Sequence, residues 1–280
     1  MILTQLSLCI KLVGKVKMES NEIKEFLLHL EECASKISLG GFRNYNEVTD
    51  KAESSDFDPV TIIDLKTEEV ISEQIRIRFP NHGIIGEEHG VVAGESQWSW
   101  IIDPIDGTRS YITGMPTWGT LIGLTFEGKP LYGMMSQPYV GDCFIGGGGV
   151  SELHSRFGTK VLQAGSTTEL SRSILFSTTP DMFQPGIELE CFVKLSEQSR
   201  MTRFGADCYG YCLLALGLVD LVVEANLKFC DIAALVPIIE SSGAFVAHWN
   251  GDPVRAGGQI VAASSQELLD QALEFLAPAT

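Results

Sequence analysis

Between residues 19 and 37 the apolar positions are Ile23, Phe26, Leu27, Leu30, Ala34 and Ile37, with Cys33 alongside, until Gly40 and Gly41 stop the run. That spacing gathers them on one face and predicts an amphipathic helix packed on a neighbour. The polar stretch "NEVTDKAESSDFDP" reads as a loop or a short irregular hairpin, and "VTIIDLKTEEVISEQIRIRF" then predicts a helix over about 64–79. "HGIIGEE" is a short strand entering a turn. Over 118–149, aromatic and β-branched residues alternate with the turn signals "FEGKP" and "YVGD", which predicts an antiparallel meander ending in the glycines at 146–149.

In the second half, strands are predicted at 173–177, 200–204, 220–225, 244–248 and 259–263. Helices are predicted at 186–196, 207–216, 231–241 and 266–276. This alternation predicts sheets and helices in layers. The small polar residues of "QAGSTTEL", 163–170, mark a boundary between an N-terminal lobe, 19–165, and a C-terminal lobe, 166–280. No internal repeat or low-complexity tract is present.

Composition narrows the function. With 45% hydrophobic and 20% charged residues in 280, the chain is a globular protein of one large domain or two lobes. A formal charge of −16 disfavours nucleic acid or an anionic membrane as a partner, and no run approaches a membrane span. A small anionic substrate would need a local positive charge, for which a bound cation is the candidate. The cysteines (Cys9, Cys33, Cys143, Cys191, Cys208, Cys212, Cys230) form no CxxC pair and the histidines no HxxxH, so reduced cytoplasmic thiols are expected. In "MILTQLSLCIKLVGKVKMES" the lysines follow the apolar residues and no cleavage site is clear, so no signal peptide is read. Met18 is the expected natural start, the residues before it an extension of little importance to the fold.

The chemistry centres on "WIIDPIDGT". Pro104 cannot donate to a strand ladder and disfavours a helical Asp103, so the chain is expected to leave the sheet there, with Asp106 about one turn later. If Thr108 opens a helix, the N–H groups around Gly107 and Thr108 offer a seat for a phosphate. Two carboxylates beside such a seat repel an anion unless a cation intervenes, and oxygen-only ligands point to Mg2+, with Mn2+ as a substitute. A lone DxxD is more simply a turn aspartate and a helix cap. Further acids change that weighting: Glu87 and Glu88 in "GEE" at another strand end, and Asp231 opening a helix after "KFC". Asp64 reads equally as an N-cap after Thr61 or as a base near an activated water.

"DPVTIID", "GIIGEE", "WIIDPIDGT" and "FCDIAALVPIIESSGA" occur in the order and rough spacing of the inositol monophosphatase-like, magnesium-dependent, lithium-sensitive phosphatases, a resemblance that spans residues 23–276. Within that superfamily, "GTRSYITGMPTWGTLIGL" and "TRFGADCYGYCLLALGLVDLVVEANLKFCDIAALVPIIE" are similar to the histidinol-phosphate phosphatases, whereas inositol-specific members more often read Thr-Asn-Phe after the aspartate motif. Cys230 stands where an aromatic residue is usual.

The resemblance implies an α+β layered sandwich (αβαβα, sugar-phosphatase type) with mixed and antiparallel sheets. It implies metal ligation by Glu87, Asp103, Asp106, Asp231 and the Ile105 carbonyl, with Glu88 a less certain neighbour. It also implies catalysis by Asp64, Thr108 and Glu87 on a magnesium-activated water, and phosphate binding at Gly107 and Thr108. Substrate contacts fall to Asp106, Gly205, Ala206, Asp207, Glu224 and Asp231. Asp207 reads equally as the N-cap of its helix, Glu224 as an edge-strand surface acid. Acids at these positions suit the amine and imidazole of histidinol phosphate, and could also accept from inositol hydroxyls. Tyr209 and Tyr211 face different sides of their helix, so at most one approaches the ligand. The expected partners are a small phosphorylated metabolite and, by resemblance, a second copy in a homodimer. An inositol monophosphatase or broader sugar-phosphate phosphatase is the nearest alternative. A regulatory binding module acting through protein or RNA is another, against which the intact carboxylate set argues.

Overall fold

A computed structural model describes residues 20–44, 48–50 and 59–280. The expected N-terminal extension and most of the polar stretch after the first helix lie outside these residues. The elements are α1 (Ser20–Gly41), β1 (Val48–Asp50), β2 (Pro59–Thr61), α2 (Ile62–Arg78), β3 (Gly83–Gly86), β4 (Gly90–Val92), β5 (Trp98–Asp106), α3 (Thr108–Thr113), β6 (Gly119–Phe126), β7 (Lys129–Gln137), β8 (Asp142–Gly147), β9 (Val150–Ser155) and β10 (Gly158–Val161). They continue with β11 (Ile174–Ser177), α4 (Ile187–Gln198), β12 (Met201–Phe204), α5 (Cys208–Ala215), β13 (Leu221–Leu227), α6 (Phe229–Ala233), α7 (Leu235–Ser241), β14 (Phe245–His248), β15 (Gly258–Ala263) and α8 (Gln266–Leu276).

Strands β10-β9-β8-β7-β6-β5-β3-β4 form one sheet in that order, antiparallel except for the parallel pair β3–β5. Strands β12-β11-β13-β15-β14 form a second, in which β11 runs parallel to both neighbours. The period-2 alternation of strand side chains divides each sheet between two helical layers. On the outer face of the first sheet, Ile122, Leu124 and Met134 pack with Ile23, Leu27 and Leu30 of α1 and Ile71 and Ile75 of α2. Each such fully buried aliphatic side chain stabilises by about 1.5–3 kcal/mol, far more than helix propensity supplies. On the inner face, Leu121, Met135 and Phe144 meet α5, α6 and α7, which also cover Val222 and Ile260 of the second sheet. Leu221, Val223 and Ala225 point the other way, onto α4 and α8. The result is the expected αβαβα sandwich, and it places Glu224, between Val223 and Ala225, on the inner side of a central strand.

Three local expectations are corrected. The meander does not end at Gly149 but adds β9 and β10, an antiparallel pair with an exposed outer strand. The helix over 231–241 is two helices, because Pro237 has no N–H to bond the Ala233 carbonyl, so α6 stops at Ala233 and α7 restarts at Leu235. The chain also does not leave the sheet at Pro104. Strand β5 runs on to Asp106 through a bulge, in which Asp103 pairs with Leu121 and Asp106 with Gly119. No helix among the described residues is long and apolar enough to cross a membrane.

Candidate active site: an acidic cage and an acidic pocket

The bulge determines where the two aspartates point. In a regular strand, residues three apart face opposite sides of the sheet, but one extra residue between Asp103 and Asp106 restores them to the same side. The carbonyl of Pro104, displaced by the bulge, accepts a hydrogen bond from Thr120 Oγ1 at 2.8 Å. Strand β3 runs parallel to β5, with Gly86 opposite Ile102 and the Glu87 N–H donating to the Ile102 carbonyl, so Glu87 emerges beside Asp103. Glu68, buried on α2, holds that exit: its carboxylate accepts the backbone N–H groups of Glu88 at 2.7 Å and His89 at 2.9 Å. A side chain at Gly86 would collide with it, since a Cβ there would lie 1.9 Å from Glu68 Oε1. Asp231 comes from the first turn of α6, its Oδ2 fixed by the Lys228 N–H at 2.7 Å.

Asp103, Asp106 and Asp231 each offer a carboxylate oxygen within 4.8 Å of the others, and Glu87, Asp103 and Cys230 form a second such group. Burial, then the charges of Glu87, Asp106 and Asp231, push Asp103 well above the usual carboxylate range. Asp106 is raised in the same way by burial and by Asp231 and Asp207, although the Cys208 N–H opening α5 donates to its Oδ2 at 2.9 Å. Asp231 is pushed up to about 6, chiefly by burial. Lys228 Nζ reaches Glu87 Oε1 at 2.9 Å from a half-exposed position. Three mutually repelling carboxylates with hard oxygen donors fit a divalent cation such as Mg2+.

Glu87, Asp103, Asp106, Thr108, Asp207 and Asp231 are among the residues lining a cleft of about 620 Å3. A smaller cavity of about 90 Å3 adjoins it, sharing Asp106, Asp207 and Asp231 and adding Tyr211 and Glu224. Glu224 is 4% exposed, and its Oε1 accepts Thr178 N–H at 3.0 Å and Thr178 Oγ1 at 2.6 Å. Burial pushes it up to about 7 against the opposing effect of those bonds. The Tyr211 hydroxyl is buried beside Glu224 without a well-formed hydrogen bond. Asp207 does not cap α5 with its side chain. It has φ 46° and ψ −147°, a backbone region that costs a non-glycine residue on the order of 1–3 kcal/mol, and its Oδ2 accepts Ser110 Oγ at 2.5 Å and Thr117 Oγ1 at 2.9 Å.

Ile105, Gly107 and Thr108 all line the larger cleft. Gly107 has φ 78°, and a Cβ there would lie 2.9 Å from Asp207 Cγ, so the acid rests directly on this glycine. The Thr108 hydroxyl donates to the Ile105 carbonyl at 3.1 Å. Asp64 stands apart from both cavity linings, at the third position of α2, where Thr61 is the N-cap. Its Oδ2 accepts Thr61 N–H at 3.0 Å and Thr61 Oγ1 at 2.5 Å, and burial pushes its pKa up to about 6. Gly205 and Ala206 also fall outside the linings. Tyr209 turns away to donate to Asp142 Oδ2 at 2.5 Å, leaving Tyr211 as the tyrosine in the pocket. Sequence reasoning missed Glu68, Ser110, Thr117, Thr178 and Lys228. Of these, Lys228 lies in the "KFC" segment before Asp231, and Ser110 and Thr117 lie within "GTRSYITGMPTWGTLIGL"; Glu68 and Thr178 carried no local signal.

The sequence profile of the inositol monophosphatase family matches residues 20–277. The chain belongs to the inositol monophosphatase family. A chloroplastic bifunctional phosphatase of Arabidopsis thaliana is 35% identical over 258 residues, covering 88% of this chain and 72% of its own length. A histidinol-phosphatase of Chlorobaculum parvum is 32% identical over 228 residues, covering 81% of this chain and 86% of its own. Among solved structures, an inositol monophosphatase from Zymomonas mobilis superposes with a TM-score of 0.82 at 32% identity, covering 93% of this chain and 100% of that one. Family membership makes the chain a phosphatase of small phosphorylated substrates, a phosphoric monoester hydrolase by class.

Proposed function

We propose that the chain is a Mg2+-dependent phosphomonoesterase that hydrolyses L-histidinol phosphate to L-histidinol and phosphate. The observation that carries this reading is the small cavity, which sets Asp207 and Glu224 beside the proposed cage with hydroxyls holding one oxygen of each. A leaving group bearing an amine and an imidazole can donate charge-assisted hydrogen bonds to both acids. A neutral polyol can donate hydrogen bonds to the same acids but brings no positive charge to them.

Asp103, Asp106, Asp231, Glu87 and the Ile105 carbonyl would hold Mg2+. The cation would lower the pKa of a water so that it attacks phosphorus as hydroxide, and would offset charge on the phosphate. Backbone N–H groups at Gly107 and Thr108 would hold phosphate oxygens, fixing the ester for in-line displacement. Thr108 would orient the attacking water. Asp64, which does not line the cleft, would stand behind Thr108 as the base. Asp207 and Glu224 would hold the leaving group, and the enclosed pocket floor at Tyr211 would exclude bulk water.

An inositol phosphate is the second candidate substrate, favoured by the likeness to the Zymomonas mobilis enzyme. Phosphate release from histidinol phosphate, inositol phosphates, fructose bisphosphate and a nucleotide 3'-phosphate, each with and without Mg2+, tests both parts of the reading. Release that needs Mg2+ and is fastest from histidinol phosphate is expected. Release that persists in a chelator would overturn the metal assignment.

A further inference from the structure

Asp207 is the most constrained acid in the site that no proposed metal ligation explains. Its backbone lies at φ 46°, ψ −147°, where few L residues are found, yet its side chain gives nothing to the helix it precedes. Among the described residues, both hydrogen-bond partners of its carboxylate are hydroxyls from the other half of the chain, Ser110 on α3 and Thr117 just before β6, which themselves lie 3.1 Å apart. Both bind the same atom, Oδ2. Among the described residues no hydrogen bond reaches Oδ1, although Asp207 lines both cavities.

The position also matters. Asp207 rests on Gly107, at the proposed phosphate seat, and shares the small cavity with Asp106, Glu224 and Asp231. Another carboxylate beside a phosphate is unfavourable for an ester whose alcohol is neutral, and favourable for one whose alcohol carries a cation. A carboxylate free to rotate would turn its second oxygen towards solvent or the cage. Two hydroxyls on one oxygen prevent that and keep the other as an acceptor of fixed direction.

We propose that Ser110 and Thr117 are positioning residues that lock the Asp207 carboxylate as the acceptor for a protonated nitrogen on the leaving alcohol, giving a preference for aminoalkyl phosphomonoesters over neutral polyol phosphates. This rests on the phosphatase reading above. Ser110 and Thr117 touch neither the phosphate nor the alcohol; they act through Asp207.

The test uses the full chain with Mg2+ and compares Ser110→Ala, Thr117→Val and their double variant with Asp207→Asn. Steady-state kinetics are measured on L-histidinol phosphate and on glycerol 2-phosphate, and L-histidinol binding by calorimetry. Loss of an aligned charge-assisted hydrogen bond is expected to raise KM for histidinol phosphate by about tenfold in the double variant, with kcat within about twofold. Kinetics on glycerol 2-phosphate should stay within about twofold of wild type, because that ester makes no such bond. L-Histidinol should bind the double variant correspondingly more weakly. Thr117→Ser, which keeps the hydroxyl, should behave as wild type and controls for folding. Equal losses on both esters would make the hydroxyls merely structural and overturn the inference. A wild type that prefers histidinol phosphate, with variants that keep the preference, would overturn this inference alone. A wild type that prefers the neutral ester would overturn the substrate reading and this inference with it.

Discussion

Asp103, Asp106 and Asp231 crowd three carboxylates together, whereas Asp207 and Glu224 in the adjoining cavity are each tied to neighbouring hydroxyls. Burial raises the pKa of acids in both regions, but only at Asp103 and Asp106 does the charge of the neighbouring acids lead the remaining causes. The cage is therefore ionised at the expense of stability unless a cation joins it. The pocket is held in place by its own hydrogen bonds and offers its remaining oxygens to a ligand. In the proposed reading, one cluster of acids would support chemistry on any phosphate ester, and the other would select what the phosphate is attached to.

The largest expected effect separates the two regions by substitution. Asp103→Asn should lower kcat on every ester by on the order of 10^3-fold, since it removes a proposed ligand used in the transition state. The metal-free variant should melt no lower than wild type, because a repelling charge is gone. Asp207→Asn should not lower turnover of a neutral ester, since it removes a carboxylate beside the phosphate. If Asp103→Asn keeps full activity, the cage assignment fails.

The cage should also reveal itself in the pH dependence of metal-free stability. Acids with folded pKa values raised above their unfolded ones bind more protons when folded, so stability falls as pH rises. The window runs from the ordinary value of 3.8 for Asp231 through its raised value of about 6, and for Glu224 from 4.5 to about 7. The metal-free protein should therefore melt higher at pH 5 than at pH 8. Mg2+ at a hundredfold excess over its Kd should restore about 2.7 kcal/mol at pH 8. A melting temperature that rises with pH and ignores Mg2+ would contradict the account.

A smaller effect isolates the strain at Asp207. Asp207→Gly and Asp207→Ala both lose the hydroxyl contacts, but only glycine relaxes the positive φ, so the glycine variant should be more stable by about 1 kcal/mol in urea unfolding. The smallest concerns the cage wall. Lys228→Met should cost a few tenths of a kcal/mol in stability, as expected for a half-exposed pair. It should tighten Mg2+ binding measured by calorimetry, because the Lys228 ammonium competes for Glu87 Oε1.

The cage was legible in the sequence and its support was not. "GEE" and "DPIDGT" are local signals in which glycine, proline and acid positions force a strand to end or distort, and such effects act over a few residues. Pro104 reads locally as an exit from the sheet, because a bulge depends on the pairing strand β6, which no local pattern contains. The helix break before Leu235 is not in the single helix expected over 231–241, although it follows from the missing N–H of Pro237. The contacts from Ser110 and Thr117 to Asp207 span 97 and 90 residues, and the one from Cys208 to Asp106 spans 102. They arise only when the helix layer between the sheets brings the two halves together. Glu224 could be read as a surface acid because strand order decides whether β13 is an edge, and here β11 and β15 flank it.

The most direct test of the central claim is the ratio of kcat/KM for L-histidinol phosphate to kcat/KM for inositol 1-phosphate, measured with Mg2+ on wild type and Asp207→Asn. The account predicts a ratio well above one in wild type that falls by about tenfold in Asp207→Asn. A wild-type ratio below one, or a ratio that Asp207→Asn leaves unchanged, would contradict it.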